Sequence, residues 1–205
     1  MNEIYLGLMS GTSLDAIDAV AVSFAQHGAI QLLGTHSLGL PEQLRADVLT
    51  LTQPNNNEIE LLGVVDNQLG LLFAECANLL LTKLALSAAD IKAIGSHGQT
   101  IRHRPYGNIP FTLQITDPNV IAEQTNITVV ADFRRRDVAA GGQGAPLVPA
   151  FHEAILRNKE INRVVLNLGG MANITVLPAE QTQTVYGYDT GPANVLMDAW
   201  CQKKL

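Results

Sequence analysis

Two short polar turns and one acidic residue gather the side chains of this sequence that can do chemistry. Ser10-Gly11-Thr12-Ser13 follows the apolar run Ile4 to Met9. A turn between two strands exposes backbone N–H groups, glycine lets an anion approach closely, and hydroxyls add donors, so the segment suits a phosphate. Asp15 and Asp18 lie just beyond it, placed to hold a Mg²⁺ ion through water. The same residue types also build ordinary hairpin turns. Asn167-Leu168-Gly169-Gly170 offers a second backbone anion site, and two such turns would clamp a triphosphate from both sides. Asp189 closes a predicted strand, Thr184 to Tyr188, and precedes a helix expected to open near Gly191-Pro192. There it is either a general base at the mouth of a cleft or the N-cap of that helix.

Ser96-His97-Gly98-Gln99-Thr100 follows another short apolar run, and strand ends are where α/β folds place ligands. His97 in that setting reads as a hydrogen-bond partner for a substrate. His97 and His103 have no metal-ligand spacing. The basic run Arg134-Arg135-Arg136 sits between Asp132 and Asp137, either as a solvated loop or beside an anionic ligand. The sequence has no Walker A loop, no G-x-G-x-x-G after a strand and no G-x-S-x-G setting.

These residues need elements to hold them. Ile4 to Met9, Ala16 to Phe24 and Gln31 to Ser37 read as three strands joined by short turns, an antiparallel meander. Pro41 to Leu51 reads as a short helix, and Pro54 with Asn55, Asn56 and Asn57 breaks it. Asn57 to Leu84 is the clearest helix, with Ile59, Leu62, Val65, Leu69, Leu72, Phe73, Cys76, Leu79 and Leu80 at roughly helical spacing. Strands are expected at Ile91 to Gly95, Thr112 to Ile115 and Ile127 to Ala131, with a helix over Asp117 to Gln124. The segment from His97 to His103 reads as loop. Phe133 to Gly144, polar and glycine-rich, reads as a hinge that divides residues 1–133 from residues 134–205. A helix from Leu147 to Leu156 and strands at Arg163 to Leu168, Asn173 to Leu177 and Thr184 to Tyr188 follow. A strand, a glycine-containing turn and a second strand thus occur twice.

The 205 residues are 47% hydrophobic and 16% charged, enough apolar material for a packed core. The formal charge of -6 disfavours a nucleic-acid partner, which needs clustered positive charge. Cys76 and Cys201 lie far apart, which fits a reducing compartment. Met1 to Leu8 has no basic, apolar leader pattern, and no apolar stretch approaches the ~20 residues that span a bilayer. The expectation is a soluble cytoplasmic protein with no membrane partner.

Five stretches, in order, resemble the anhydro-N-acetylmuramic acid kinases of bacterial cell-wall recycling. They are Gly7 to Asp18, Ser96 to Thr100, Asp132-Phe133-Arg134 with Gly141 to Pro149, Asn167 to Asn173, and Asp189 to Asn194. The resemblance implies the two-domain α/β fold of actin, Hsp70 and the sugar kinases (ribonuclease H-like), with the second domain incomplete. It implies ATP and Mg²⁺, with 1,6-anhydro-N-acetylmuramic acid as substrate and N-acetylmuramic acid 6-phosphate as product, and it implies a homodimer. By that resemblance Asp189 is the catalytic aspartate that activates water. Gly11, Thr12, Ser13, Leu14, Asp15, Ala16, Ile17 and Asp18 form the first phosphate loop, and Asn167, Gly169 and Gly170 the second. Ser96, His97, Gln99 and Arg134 lie on the substrate side.

Family members are considerably longer than this chain. The resemblance implies that an adenosine-binding segment and a further substrate carboxylate lie in the additional length. The chain alone is therefore expected to bind ATP poorly and to show little or no kinase activity. Two other readings stay open. One is a non-catalytic remnant that binds sugar or dimerises. The other is an ATP-independent glycosidase that pairs Asp189 with another carboxylate such as Glu123.

Overall fold

The structure, a computed structural model, describes residues 3–25, 29–54 and 56–204. Asn55, part of the predicted break after the first helix, lies outside the described residues. The chain divides into two compact units, Met1–Arg104 with Thr112–Phe133, and Pro105–Phe111 with Arg134–Leu205. Both are mixed α/β.

The first unit opens with the expected meander. Strands β1 (Glu3–Ser10), β2 (Ala16–Phe24) and β3 (Ile30–Gly39) pair antiparallel in sequence. Helices α1 (Glu42–Leu51) and α2 (Glu58–Leu84) follow, and the chain then returns as β4 (Ile91–Ser96), parallel to β1. Helix α3 (Pro118–Thr125) crosses to β7 (Val129–Ala131), parallel to β4, giving the sheet order β3-β2-β1-β4-β7. Alternation along the strands sends Leu6 and Leu8 of β1, and Ile17, Ala19 and Ala21 of β2, into one core with Leu69, Phe73, Cys76 and Leu80 of α2.

Two expectations change here. Gln99–Arg104 is strand β5, paired with β6 (Phe111–Ile115), and not a loop. Its only buried side chains are Gln99 and Ile101, so the apolar alternation that marks a strand is nearly missing. Arg102 anchors it instead, donating to the Leu51 carbonyl at 2.6 Å and pairing with Glu58 at 3.1 Å. Second, α2 is long and apolar enough to span a membrane by length and composition, although Glu58, Glu60, Asp66, Glu75 and Lys83 punctuate it. Half of its most apolar stretch is buried inside the protein, as the core helix of a sheet requires.

The corner between β6 and α3 is strained. Thr116 has φ 132°, a region that favours glycine, and is 6% exposed. Its N–H donates to Asp66 Oδ1 of α2 at 2.6 Å, which holds the corner in place. Such backbone strain costs about 1–3 kcal/mol. Thr116→Gly is therefore expected to raise the thermal midpoint, contrary to the usual effect of introducing glycine; a fall would show that the Thr116 side chain contributes more than the strain removes.

Burial pushes the Asp66 carboxyl above the usual carboxylate range; the Thr116 hydrogen bond opposes this and the charge of Asp117 adds to it. With the folded value raised, the stability this group contributes is full below the ordinary value of 3.8 and is lost as pH rises through the folded value. Asp66→Asn keeps an acceptor for Thr116 and removes the charge. Its thermal midpoint is expected to gain on the parent's as pH rises from about 4 to about 7. A gap that stays constant over that range would contradict this.

The second unit contains α5 (Pro149–Leu156), a meander of β8 (Arg163–Leu168), β9 (Met171–Leu177) and β10 (Tyr186–Pro192), and α6 (Asn194–Lys204). Its sheet order, β10-β9-β8, repeats the arrangement of β3-β2-β1. Helix α4 (Phe133–Ala139) occupies the first half of the segment read as a hinge. Arg134 and Asp137, three apart on α4, both hold Gly144: Arg134 Nη1 donates to its carbonyl at 2.6 Å and Asp137 Oδ2 accepts from its N–H at 2.7 Å. The glycine-rich stretch is thus a loop fastened to a short charged helix.

Candidate functional site

In the first unit the candidate residues collect at the carboxyl ends of β1 and β4. The β1–β2 turn closes with Leu14 N–H donating to the Gly11 carbonyl at 3.2 Å. Leu14, at φ 57° and 2% exposed, pins the turn to the core, and Ile17 is fully buried beneath it. The side chains of these two residues therefore shape the turn from the core side. Thr12 and Asp15 are exposed, Gly11, Ser13 and Ala16 are half-buried, and a Cβ placed on Gly11 would meet nothing closer than Ser13 Oγ at 3.8 Å. That open backbone is the cradle a phosphate needs. Ser10 Oγ, just before it, is buried with no hydrogen-bond partner among the described residues.

Asp18 points to the sheet face away from α2 and accepts from Ser37 Oγ at 2.5 Å. With Met9, Val20, Thr35, His97 and Phe133 it lines a hollow of about 460 Å³. Among the described residues no group of three or more His, Cys, Asp or Glu side chains could hold a metal. A Mg²⁺ ion that keeps its waters needs only one or two carboxylates besides phosphate, and exposed Asp15 and Asp18 fit that demand.

Ser96 and Gln99 are each 1% exposed, with Ser96 Oγ and Gln99 Oε1 unpartnered among the described residues. His97 differs: it is half-buried and lines the hollow. Its N–H donates to the Leu8 carbonyl at 2.9 Å and its Nδ1 lies 2.8 Å from the Gly98 carbonyl, so its backbone and ring are both fixed.

In the second unit the β8–β9 turn and the β10–α6 junction are tied together. Ala193 and Asn194 N–H groups donate to the Gly170 and Gly169 carbonyls, both at 2.9 Å, and Asn194 Nδ2 donates to the Leu168 carbonyl at 2.8 Å. Asp189 lies inside β10, opposite Asn173 of β9, which in turn lies opposite Asn167 of β8. Helix α6 begins only at Asn194, so the capping alternative for Asp189 is corrected by the register: the carboxylate belongs to the strand. A bulge follows it, with Gly191 at φ 139°. Gly187, two residues earlier on the same face, has no room for a side chain, since a Cβ there would lie 2.9 Å from Pro149 Cγ and 3.2 Å from Pro146 Cγ.

Asp189 is exposed and Arg134 half-buried. Burial lowers the basicity of the Arg134 guanidinium, and the attraction of Asp189 opposes that. Arginine remains charged under such a shift. An oriented cation therefore acts on the exposed carboxylate. Asn173 and Asp137 were not singled out from the sequence as site residues. For Asn173 the signal existed, because a three-residue turn centred on Gly170 makes positions 167 and 173 cross-strand partners.

A mixed α/β architecture, built twice on a meander whose first turn carries glycine, is the fold class the resemblance implied. The family model for anhydro-N-acetylmuramic acid kinase matches residues 3–205. The chain is 52% identical over 203 residues to the anhydro-N-acetylmuramic acid kinase of Coxiella burnetii (strain RSA 493 / Nine Mile phase I), covering 99% of this chain and 54% of that one. It is 53% identical to the enzyme of that name from Acinetobacter baylyi, over 99% of this chain and 53% of that one. The solved structure of a reductive activator for a corrinoid, iron-sulfur protein aligns with 93% of this chain and 31% of its own at 14% identity and TM-score 0.45, a likeness too slight to carry an inference. The chain belongs to the anhydro-N-acetylmuramic acid kinase family. It spans about half the length of the curated relatives it matches.

Proposed function

We propose that the protein takes part in the ATP-dependent opening and 6-phosphorylation of 1,6-anhydro-N-acetylmuramic acid, with Asp189 as general base. In this reading Asp189 takes a proton from water as the water oxygen bonds to the anomeric carbon. The bond from that carbon to O6 breaks, and O6 accepts the γ-phosphoryl group of ATP, releasing ADP. The proton then leaves the exposed Asp189 for solvent. The observation that carries the reading is the placement of Asp189: strand-borne, exposed, acted on by Arg134, and next to a glycine turn fixed by three hydrogen bonds.

The Gly11–Ser13 backbone and the Gly169-Gly170 turn supply N–H donors for phosphate oxygens. Asp15 and Asp18 would hold a Mg²⁺ ion through water, and that ion would supply charge neutralisation at the transferred phosphoryl group. His97 and Arg134 serve as substrate-side donors, Arg134 suiting the lactyl carboxylate. Ser96 and Gln99 support His97 from within the core. A cytoplasmic setting suits the two free cysteines, Cys76, whose thiol burial pushes up to about 11, and exposed Cys201. Homodimerisation belongs to the same reading through the family resemblance.

The relatives' further length has no counterpart in the matched region, so the 205-residue chain alone is expected to bind ATP weakly and turn over little substrate. Titration calorimetry tests this with ATP·Mg²⁺ and, separately, with the anhydro sugar. The chain should give a weak heat for either ligand. A chimera in which residues 3–205 replace the matching part of the Coxiella relative should bind both. A chimera that binds neither would remove the reading, and opening of the sugar without ATP would favour a glycosidase.

A further inference from the structure

We infer that Asn173 is a positioning residue for Asp189, accepting a hydrogen bond from the Asp189 carboxyl once it has taken up a proton. The inference rests on the general-base reading of Asp189, and its geometry stands on the strand register. Asp189, Asn173 and Asn167 form one cross-strand row on β10, β9 and β8. Directly opposed residues share a face, with Cβ atoms about 4.5–5.5 Å apart. Asn173 Oδ1 is buried and has no hydrogen-bond partner among the described residues.

The other neighbour in the row does not serve it. Asn167 Nδ2 is turned toward the glycine turn, 3.7 Å from where a Gly169 Cβ would stand. The remaining neighbour is Asp189, which in its ionised form is an acceptor only. In that form Asp189 offers Asn173 Oδ1 no donor, and a buried acceptor without a donor is unfavourable. The position relaxes when Asp189 gains a proton: the water O–H bond breaks, a new O–H bond forms on the Asp189 carboxyl, and that hydroxyl donates to Asn173 Oδ1. The interaction is absent before proton transfer and present after it, which is the pattern that lowers a barrier and not merely a binding energy. Arg134, in the same unit, is attracted to the Asp189 carboxylate, and Asn173 is the cross-strand neighbour placed to receive the hydroxyl that forms on proton transfer.

Asp189→Asn imitates the protonated carboxyl by placing an N–H donor in the row, so the test needs neither ATP nor sugar. Thermal midpoints are measured for the chain, Asp189→Asn, Asn173→Leu and the double variant. The readout is the difference between the two shifts caused by Asp189→Asn, in which the lost Arg134 attraction cancels. That difference is expected to be about 2–4 °C in favour of the background that keeps Asn173. Equal shifts within ~1 °C, or a difference of opposite sign, would overturn the inference. If Asn173→Leu does not fold, Asn173→Ala completes the same cycle. Absent coupling beside a large loss of turnover in Asp189→Asn removes this inference alone. Intact coupling with undiminished turnover removes the general-base reading alone.

Discussion

Asp189→Asn, made in the chimera that restores family length, is expected to lower turnover of the anhydro sugar by about 10²- to 10⁴-fold, the range a positioned general base supplies. The amide keeps the size of the carboxylate and cannot take the water's proton. ATP affinity should change little, because the Gly11–Ser13 and Gly169-Gly170 backbones do not involve this side chain. Stability should not fall, because Asp189 lies in β10 and the Ala193 and Asn194 amides at the start of α6 already donate to Gly170 and Gly169. Initial rates over a range of substrate, with a melting curve beside them, separate these outcomes. A variant within about threefold of the parent rate would exclude Asp189 as the base. Retained turnover with a collapsed melting temperature would return it to a structural role.

Gly98→Ala is expected to be the most damaging single-methyl change in the first unit. Gly98 has φ 73°, and a Cβ there would lie 2.6 Å from the Ile115 carbonyl oxygen. That oxygen belongs to the backbone of β6, and Ile115 is 4% exposed in the core, so it cannot yield as a flexible side chain would. Left-handed strain of about 1–2 kcal/mol combines with about 1–3 kcal/mol of overpacking. At about 2–4 °C per kcal/mol, the thermal midpoint should fall by about 5–15 °C. His97 Nδ1 sits against the Gly98 carbonyl, so substrate-side contacts should weaken as well. A midpoint within ~1 °C of the parent would show that the corner is looser than its geometry requires.

Much of this architecture could be read from residue order because local and tertiary preferences agree there. The β1–β2–β3 meander announces itself through alternating apolar residues and short polar turns, and α2 through Val65, Leu69, Phe73, Cys76 and Leu80. Strand β5 could not be read, because the contacts of Arg102 with Leu51 and Glu58, and not an apolar pattern, hold it. Helix α4 was hidden by its charged run, whose members Arg134 and Asp137 turn back to grip Gly144. The end of β10 was misjudged for a related reason. Gly187, Asp189, Gly191 and Pro192 are poor strand signals, and pairing with β9 carries the strand past Asp189 as far as Pro192. That shift of a few residues turns Asp189 from a possible cap into a strand-borne carboxylate with Asn173 beside it. Ser96 and Gln99 were legible as polar residues at a strand end, but residue type alone could not tell that they are buried while His97 lines the hollow.

The most direct test of the central claim is isotopic. The chimera is incubated with 1,6-anhydro-N-acetylmuramic acid and ATP·Mg²⁺ in ¹⁸O-labelled water, and the product is read by mass spectrometry and ³¹P NMR. The account predicts one ¹⁸O atom at the anomeric carbon, an unlabelled phosphate on O6, and no ring opening when ATP is left out. Label in the phosphate, or an opened sugar formed without ATP, would contradict it.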